Sequence, residues 1–258
     1  MNINKIVKEI SNPHNIMGLV SAIIPTIMLI IGLVAGVSET PSSSLGSSAN
    51  QSSITDVVGK PILNQGDYVV SLTGSPQKCT IAYVDKVRRI GYTAAHCISP
   101  DGEKQGDVHW MKDFDQWSDI RKIGTITAHP KYDYNGFDRF ANIYDLAIIY
   151  FNDNIVIGDN IYSGDTLLDI HSVKLGDKVC NYGTSTRKIN CGEVNQLHPY
   201  DFFQSTIRSQ AGDSGGPTWL IDENGNTQGL AGVTSFILPD GENDQHWGSG
   251  HAYLNLDF

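Results

Sequence analysis

The apolar residues beyond Ile54 come in short runs and not in the long stripes of amphipathic helices. These runs are rich in Val, Ile, Tyr and Thr, are bounded by turn residues, and show no sustained 3.6-residue period. Such spacing is typical of strands in an all-β sandwich or barrel. We therefore predict an all-β fold in which helices are minor. The runs are DYVVSL, TIAYV, KIGTITA, DLAIIYF, DKVCNYG, PTWLI, LAGVTSFIL and HAYLNL.

One turn between two of these runs predicts a hairpin. PTWLI and LAGVTSF flank residues 222–226, Asp-Glu-Asn-Gly-Asn, and Asn-Gly supplies the positive φ angles that a tight turn demands. A calcium loop is the alternative for so acidic a turn, but its spacing does not match an EF-hand loop.

A long uncharged run precedes the predicted strands. Residues 16–37 hold 22 residues without a formal charge, enough to cross a hydrocarbon core of about 30 Å as a helix. Lys5 and Lys8 come before this run and no Lys or Arg follows it before Lys60, so residues 1–15 should be cytoplasmic and the rest of the chain exported. Two readings stay open, an uncleaved membrane anchor and a cleaved signal peptide, and the length favours the anchor.

The segment after this run has a different composition. Residues 38–56 are rich in Ser and lack periodic apolar residues, which indicates a flexible linker. This linker is either a stalk that holds the following domain off the membrane or an unstructured remnant of processing. The formal net charge of −10 argues against a nucleic-acid partner, because phosphate binding needs a basic surface.

Four cysteines in an exported chain allow three disulfide pairings. Cys79 and Cys97 are 18 positions apart, and Cys180 and Cys191 are 11 apart around a turn-like Gly-Thr-Ser-Thr. Pairing within each of these local pairs is the simplest prediction. A zinc site is the rival reading, but the chain has no Cys-x-x-Cys and no His at ligand spacing around the second pair.

Three segments together supply His, Asp and Ser: TAAHC at 93–97, YDLAI at 144–148 and GDSGGP at 212–217. A serine hydroxyl is a weak nucleophile that needs a base, and the base needs a carboxylate to fix its tautomer and stabilise its cation. Glycines around Ser214 allow a sharp turn that exposes the hydroxyl and aims the N–H groups of Gly212 and Ser214 at a developing oxyanion.

GDSGG also fits the Gly-x-Ser-x-Gly elbow of α/β-hydrolases. That fold needs the acid and the His after the Ser, and the residues after Ser214 read as strands and turns. The strand-helix units of that fold have no room there, which disfavours the elbow.

The three segments, with HPKY at 129–132 and LAGVTSF at 230–236, resemble the trypsin/chymotrypsin-like serine peptidases in the family's His, Asp, Ser order. The resemblance covers about residues 57–258 and implies two orthogonal six-stranded Greek-key β-barrels with the site between them. It implies His96 as general base, Asp145 as its orienting carboxylate, Ser214 as nucleophile and Ser235 as a support beside Asp145. Peptides would be the substrates, and no cofactor or metal is implied.

VCNYGTSTRKINCGEV at 179–194 resembles the second disulfide hairpin of the small secreted bacterial branch, the streptogrisins and α-lytic endopeptidase. The animal enzymes pair a freed Ile-Val terminus with the carboxylate before the nucleophile, here Asp213, and residues 57–59 resemble that terminus only loosely. The bacterial branch uses an Arg where this chain has Asn181. Asp213 is therefore expected to need some other partner.

The resemblance also implies a specificity pocket. Its floor would be Arg208, six residues before Ser214, so cleavage after Lys or Arg is not expected. Ile237 would narrow the entrance against large aromatic side chains, and Ser235 and His251 would contribute to the walls. An inward Arg208 would favour an acidic or small polar side chain, whereas an Arg208 turned away would pair at the surface.

The predicted function is a serine endopeptidase outside the cytoplasm, membrane-anchored or secreted. The alternatives are a non-catalytic binding module on the same double barrel and an exported esterase, because a fold alone does not prove an activity.

Overall fold

The computed structural model describes residues 59–98, 102–113, 116–133, 144–198, 202–238 and 248–254, without the side chains of 112–113, 116–119 and 237–238. The predicted segments 1–15, 16–37 and 38–56 lie outside the described residues. Among the residues that the structure describes, no helix has the length and apolar character that a membrane span requires.

The N-terminal half consists of short strands and one 3₁₀ turn. Most of its strands pair with neighbours in a seven-stranded, antiparallel sheet. The separate strands β1 and β9 pair in parallel. The strands are β1 (Ile62–Leu63), β2 (Tyr68–Ser71), β3 (Gln77–Thr80), β4 (Tyr83–Asp85), β5 (Ile90–Thr93), β6 (Gln105–Asp113), β7 (Gln116–Ala128), β8 (Ala147–Phe151) and β9 (Val156–Ile157).

This sheet curls back on itself. Its order is β3-β2-β6-β7-β8-β5-β4, so its two edges are consecutive pieces of one stretch of chain. The stretch changes partners at its centre, because Ile81 exchanges backbone hydrogen bonds with Gly66 and Asp67 whereas Ala82 donates to Tyr92. The run TIAYV, predicted as one strand, is therefore divided between β3 and β4.

The C-terminal half is a closed six-stranded barrel in the order β10-β11-β12-β15-β14-β13. All of its neighbouring strands are antiparallel. Its strands are β10 (Lys178–Tyr182), β11 (Ile189–His198), β12 (Phe202–Ser205), β13 (Pro217–Ile221), β14 (Thr227–Leu238) and β15 (Gly248–Tyr253).

The all-β prediction is confirmed, with two 3₁₀ turns, Ala95–Cys97 and Ile170–Ser172, as the helical segments of the described chain. Two six-stranded barrels were expected. The second is closed as expected, and the first is a seven-stranded sheet because its closing strand is broken at Ile81 and Ala82.

The predicted hairpin at 222–226 joins β13 to β14. Asp222 caps its own turn, since its carboxylate accepts hydrogen bonds from the backbone N–H groups of Asn224 and Asn226 and from the Asn226 side chain. Gly225 has a φ of +83°, which glycine adopts without the strain of a Cβ. The Asp222 carboxylate thus stabilises the hairpin turn.

The two halves share an apolar core. Leu230 and Val233 of β14 are fully buried, and they belong to the same cluster as Ile81, Ala94 and Leu146 of the N-terminal half. Backbone hydrogen bonds of Leu230 with Thr166 and Leu168 also attach the connecting segment to β14. Strand β14 therefore lies where the two sheets meet.

Two disulfides join Cys79 to Cys97 and Cys180 to Cys191. This is the local pairing among the three that the sequence allows. The first links β3 to the 3₁₀ turn Ala95–Cys97, and the second links the directly opposed residues of β10 and β11.

Replacing Cys180 and Cys191 together by Ala should lower the free energy of unfolding by about 3 kcal/mol, because closing an 11-residue loop restricts the unfolded chain. Urea unfolding of the variant and of the oxidised parent measures the difference. Equal midpoints and slopes for the two proteins would show that this disulfide adds no stability.

Candidate active site

His96 lies on a rigid turn at the end of a buried strand. Strand β5 ends at Thr93, and Ala95–Cys97 form one 3₁₀ turn. The two residues on either side of His96, Ala95 and Cys97, are buried. Cys97 is tied to β3 through its disulfide. The His96 side chain keeps 19% of its surface exposed, so its ring is fixed at one end and open to a substrate at the other.

Asp145 lies in a constrained segment just before β8. Tyr144 has a φ of +58°, unusual for a residue with a Cβ, and its carbonyl accepts a hydrogen bond from Leu146 N at 2.7 Å. The Tyr144 ring stacks on His129 with centroids 4.8 Å apart, and His129 N donates to the Leu146 carbonyl. The HPKY segment thereby holds the turn that carries Asp145.

The Asp145 carboxylate is buried and fully engaged. One oxygen, Oδ1, accepts the His96 backbone N–H at 2.9 Å, and the other, Oδ2, lies 2.7 Å from His96 Nδ1. The Ser235 hydroxyl from β14 also donates to Oδ2. With Nδ1 as the donor to this carboxylate, Nε2 of His96 is the ring nitrogen that can accept a proton.

These contacts shift the pKa values of both partners. Burial alone would lower the pKa of His96, but the charge of Asp145 and its hydrogen bond outweigh that effect and raise it above 6.5. Burial alone would raise the pKa of Asp145, but His96 and the Ser235 hydroxyl hold it below its usual value. The pair is arranged to keep a carboxylate beside an imidazole that can become cationic.

Ser214 lies in the tight turn between β12 and β13. The turn is bonded to β14, because Gly215 N donates to the Thr234 carbonyl at 2.7 Å and Thr234 N donates to the Gly216 carbonyl at 2.9 Å. The Ser214 carbonyl accepts a hydrogen bond from Thr80 N at 2.8 Å. Ser214 is therefore held from both halves of the molecule.

Gly215 brings this turn against the strand that leads to His96. Its φ is +80°, and a Cβ there would lie 2.0 Å from Thr93 Oγ1 and 3.2 Å from Ala94 N. No side chain fits in that space. The glycine after Ser214 therefore permits the approach of the Ser214 turn to the His96 turn.

The N–H groups of Gly212 and Ser214 donate to no acceptor in the described part of the chain. Hydrogen bonds to the carbonyls of Ala211 and Asp213 fix the orientation of the two peptides that contain these N–H groups. Ala211 O accepts from the Ser185 hydroxyl at 2.7 Å, and Asp213 O accepts from Gly216 N at 3.0 Å. Because the N–H of a trans peptide points away from its carbonyl, both donors are held available for an anionic oxygen.

Two residues predicted for the specificity pocket lie elsewhere. His251 is fully buried inside the closed barrel, with Nε2 bonded to the Ser205 hydroxyl and Nδ1 to the Thr218 hydroxyl, each at 2.8 Å. Burial lowers the pKa of His251 to about 3, so the ring is neutral. Arg208 is exposed and does not form a buried floor.

The other two predicted pocket residues belong to β14. Ser235 is buried and bonded to Asp145, which is the supporting position that the resemblance implied. Ile237 pairs in register with Ser249 of β15, and its side chain lies outside the described part of the structure.

The geometry around the first disulfide contradicts the zinc alternative. Cys79, His96 and Cys97 bring possible ligand atoms within 4.8 Å of one another. The two sulfurs are bonded to each other, and a metal ligand must be a thiolate. This cluster of the described residues is therefore a disulfide beside a histidine.

The loop at 183–186 contacts the Ser214 turn, a role that the sequence pattern did not predict. Thr184 Oγ1 and Thr80 Oγ1 both donate to the Gly212 carbonyl, and Ser185 supplies the bond to Ala211. Its Gly-Thr-Ser-Thr composition predicts only a turn between two cysteines. Asn181, which stands where the bacterial branch has Arg, points to Ser209 Oγ at 2.9 Å.

Comparison with known proteins finds a matching family model and several similar proteins. Residues 57–250 match the family model described as Trypsin. Two uncharacterized proteins of Mycobacterium tuberculosis, from strains CDC 1551 / Oshkosh and ATCC 25618 / H37Rv, are each 29% identical over 163 and 169 residues, with 62% of this chain and 68% of the relative covered.

Among solved structures, the chain is similar to Cellulomonas bogoriensis chymotrypsin, at 17% identity and a TM-score of 0.47. It is also similar to Thermobifida fusca Protease A, at 19% identity and the same TM-score. Each comparison covers 75% of this chain and 92% of the other.

Asp145→Asn should leave the fold intact and reduce the turnover of a peptide substrate about 10⁴-fold, because an amide favours the wrong His96 tautomer. Steady-state kinetics and circular dichroism of the variant and of the wild type check both statements. Retention of most of the turnover would show that Asp145 does not orient the base.

Peptide hydrolysis should rise with pH with a midpoint above 6.5, because only neutral His96 accepts a proton and Asp145 raises its pKa. Ser235→Ala should raise the pKa of Asp145, because the carboxylate loses a hydrogen-bond donor. The more basic carboxylate should stabilise the His96 cation more strongly and move the midpoint to higher pH. The profile of kcat/KM against pH measures both midpoints, and an unchanged midpoint in Ser235→Ala would contradict the coupling.

Proposed function

Because the chain belongs to the trypsin family, we propose that it is a serine endopeptidase that uses His96, Asp145 and Ser214 as its catalytic triad. The observation that carries the proposal is the buried Asp145 carboxylate. It binds the backbone and the ring of His96 at once and leaves Nε2 of that ring available as a base. This is the arrangement that an activated serine needs.

In this proposal the reaction proceeds in two acyl-transfer steps. His96 Nε2 takes the Ser214 hydroxyl proton as Oγ bonds to the peptide carbonyl carbon, and the carbonyl oxygen becomes an anion. The N–H groups of Gly212 and Ser214 stabilise that anion. The C–N bond then breaks, and His96 gives its proton to the leaving amine.

The same groups then hydrolyse the acyl-enzyme, with water as the nucleophile. Water loses a proton to His96 Nε2 while its oxygen bonds to the acyl carbon, and the bond to Ser214 Oγ breaks as His96 returns the proton to that oxygen. Asp145 stays ionised throughout and stabilises the His96 cation in each step.

We also propose that the domain works outside the cytoplasm. Two disulfides among the described residues support this location, because disulfides persist in oxidising compartments. In this proposal residues 16–37 are a membrane anchor or a cleaved signal segment.

Labelling by a fluorophosphonate probe tests the proposal. The full chain should be labelled, Ser214→Ala should lose the label completely, and Ser172→Ala, a change at an exposed serine outside the site, should label like the wild type. Absence of labelling in the wild type would favour a non-catalytic binding module. Hydrolysis of a simple ester without hydrolysis of any peptide library would favour an esterase.

A further inference from the structure

A buried carboxylate lies immediately before the proposed nucleophile. Asp213 is 1% exposed, and a charge removed from water is costly unless other groups compensate it. Its Oδ1 accepts hydrogen bonds from Ser185 N at 3.0 Å and Thr186 N at 2.9 Å, and its Oδ2 accepts one from Gln210 N at 2.9 Å. Three backbone N–H groups therefore compensate the carboxylate, two of them successive as in an anion-binding nest.

The described residues supply Asp213 with no cationic partner. Asp213 forms no ion pair in that part of the chain. Asn181, which stands where the bacterial branch has Arg, donates to Ser209 and not to Asp213. The sequence did not identify a partner for Asp213, and the loop at 183–186 supplies two hydrogen-bond donors to its carboxylate.

Gly183 makes this contact possible. A Cβ at Gly183 would lie 2.1 Å from Asp213 Oδ1 and 2.2 Å from its Cγ, much closer than atoms can approach. The absence of a side chain lets the carboxylate enter the curve of the loop and reach the N–H groups of Ser185 and Thr186.

The same loop sets the orientation of the two peptides beside Gly212. The Ser185 hydroxyl donates to Ala211 O at 2.7 Å, and the Thr184 hydroxyl donates to Gly212 O at 3.1 Å. If the Ala211–Gly212 peptide rotated, the Gly212 N–H would leave the anionic oxygen of the substrate. The Ser185 hydroxyl opposes that rotation directly.

The loop is itself held in place. It connects β10 and β11, which pair residue by residue and carry the Cys180–Cys191 disulfide. Arg187 N closes the loop on Gly183 O at 2.8 Å, and Thr184 N donates to Thr80 Oγ1 of the other sheet at 3.1 Å. Backbone hydrogen bonds, the Thr80 hydroxyl and a disulfide, all within the described part of the chain, thus fix the element that orients the Ser214 turn.

We propose that the loop Gly183–Thr186 is the positioning element of the active site, and that it completes the site without a freed N-terminus or a cationic side chain. The inference rests on the proposed function, since it concerns the regulation of that same site. Its consequence is that the uncleaved chain is already active.

Intact-mass analysis of the fluorophosphonate-labelled full chain tests this consequence. The label should appear on protein that still carries residues N-terminal to position 57, whether or not residues 16–37 have been removed. A label found only on chains that begin at residues 57–59 would overturn the inference and leave the proposed function standing. A wild type without any label would refute the proposed function, and the inference would fall with it.

The pH profile gives a second readout on the same protein. If an α-amine had to pair with Asp213, turnover would fall as that amine lost its proton, starting from an ordinary pKa of about 8. We expect turnover of the full chain to stay on its plateau from about pH 8.5 to 10. A decline over that range with the fold retained would contradict the inference.

Substitution of Ser185 tests the positioning role. Ser185→Ala should lower kcat about tenfold, the value of one hydrogen bond, with KM nearly unchanged, because the lost bond orients a donor used only in the transition state. Ser185→Thr restores the hydroxyl and should recover most of kcat. Lys188→Ala, a change at an exposed residue beside the loop, is the control and should match the wild type.

Near-UV circular dichroism should show that each of these variants is folded. Mass spectrometry without reduction should show that both disulfides are formed. A Ser185→Ala variant with wild-type kcat, or a loss in KM that Ser185→Thr does not recover, would refute the role of the loop.

Discussion

Two neighbouring residues of β14 connect the separate parts of the active site. The backbone of Thr234 exchanges two hydrogen bonds with the turn that carries Ser214, and the hydroxyl of Ser235 donates to Asp145. Strand β14 also contributes Leu230 and Val233 to the apolar core of the N-terminal sheet. The packing that holds β14 therefore also sets the positions of the proposed nucleophile, Ser214, and of the carboxylate that orients its proposed base, Asp145.

The site contains two buried carboxylates that are compensated in different ways. Asp145 is bonded to an imidazole that can become a cation, and its charge raises the pKa of His96. Asp213 is bonded to three backbone N–H groups that carry no net charge. This difference matches the proposed roles, because Asp145 must respond to a proton that arrives on His96, whereas Asp213 has only to hold its turn in one conformation.

The strand runs and the three motif segments could be predicted because each follows from local composition. Strand β6 was not among the predicted runs, since it is a long hairpin partner with polar residues in QGDVHWMKD and lacks a clear apolar run. The partner of Asp213 could not be predicted, because backbone N–H groups carry no residue-specific signal. The burial of His251 was also missed, since two hydroxyls from other strands, Ser205 and Thr218, create its site inside the barrel.

The central claim is that Ser214, His96 and the two N–H groups converge on one reacting carbonyl. A crystal structure of the full chain after reaction with a small fluorophosphonate tests it most directly. The account predicts a bond from Ser214 Oγ to phosphorus, with one phosphoryl oxygen about 2.7–3.1 Å from both Gly212 N and Ser214 N and another group facing His96 Nε2. An adduct on a different residue, or a phosphoryl oxygen turned away from both N–H groups, would contradict the account.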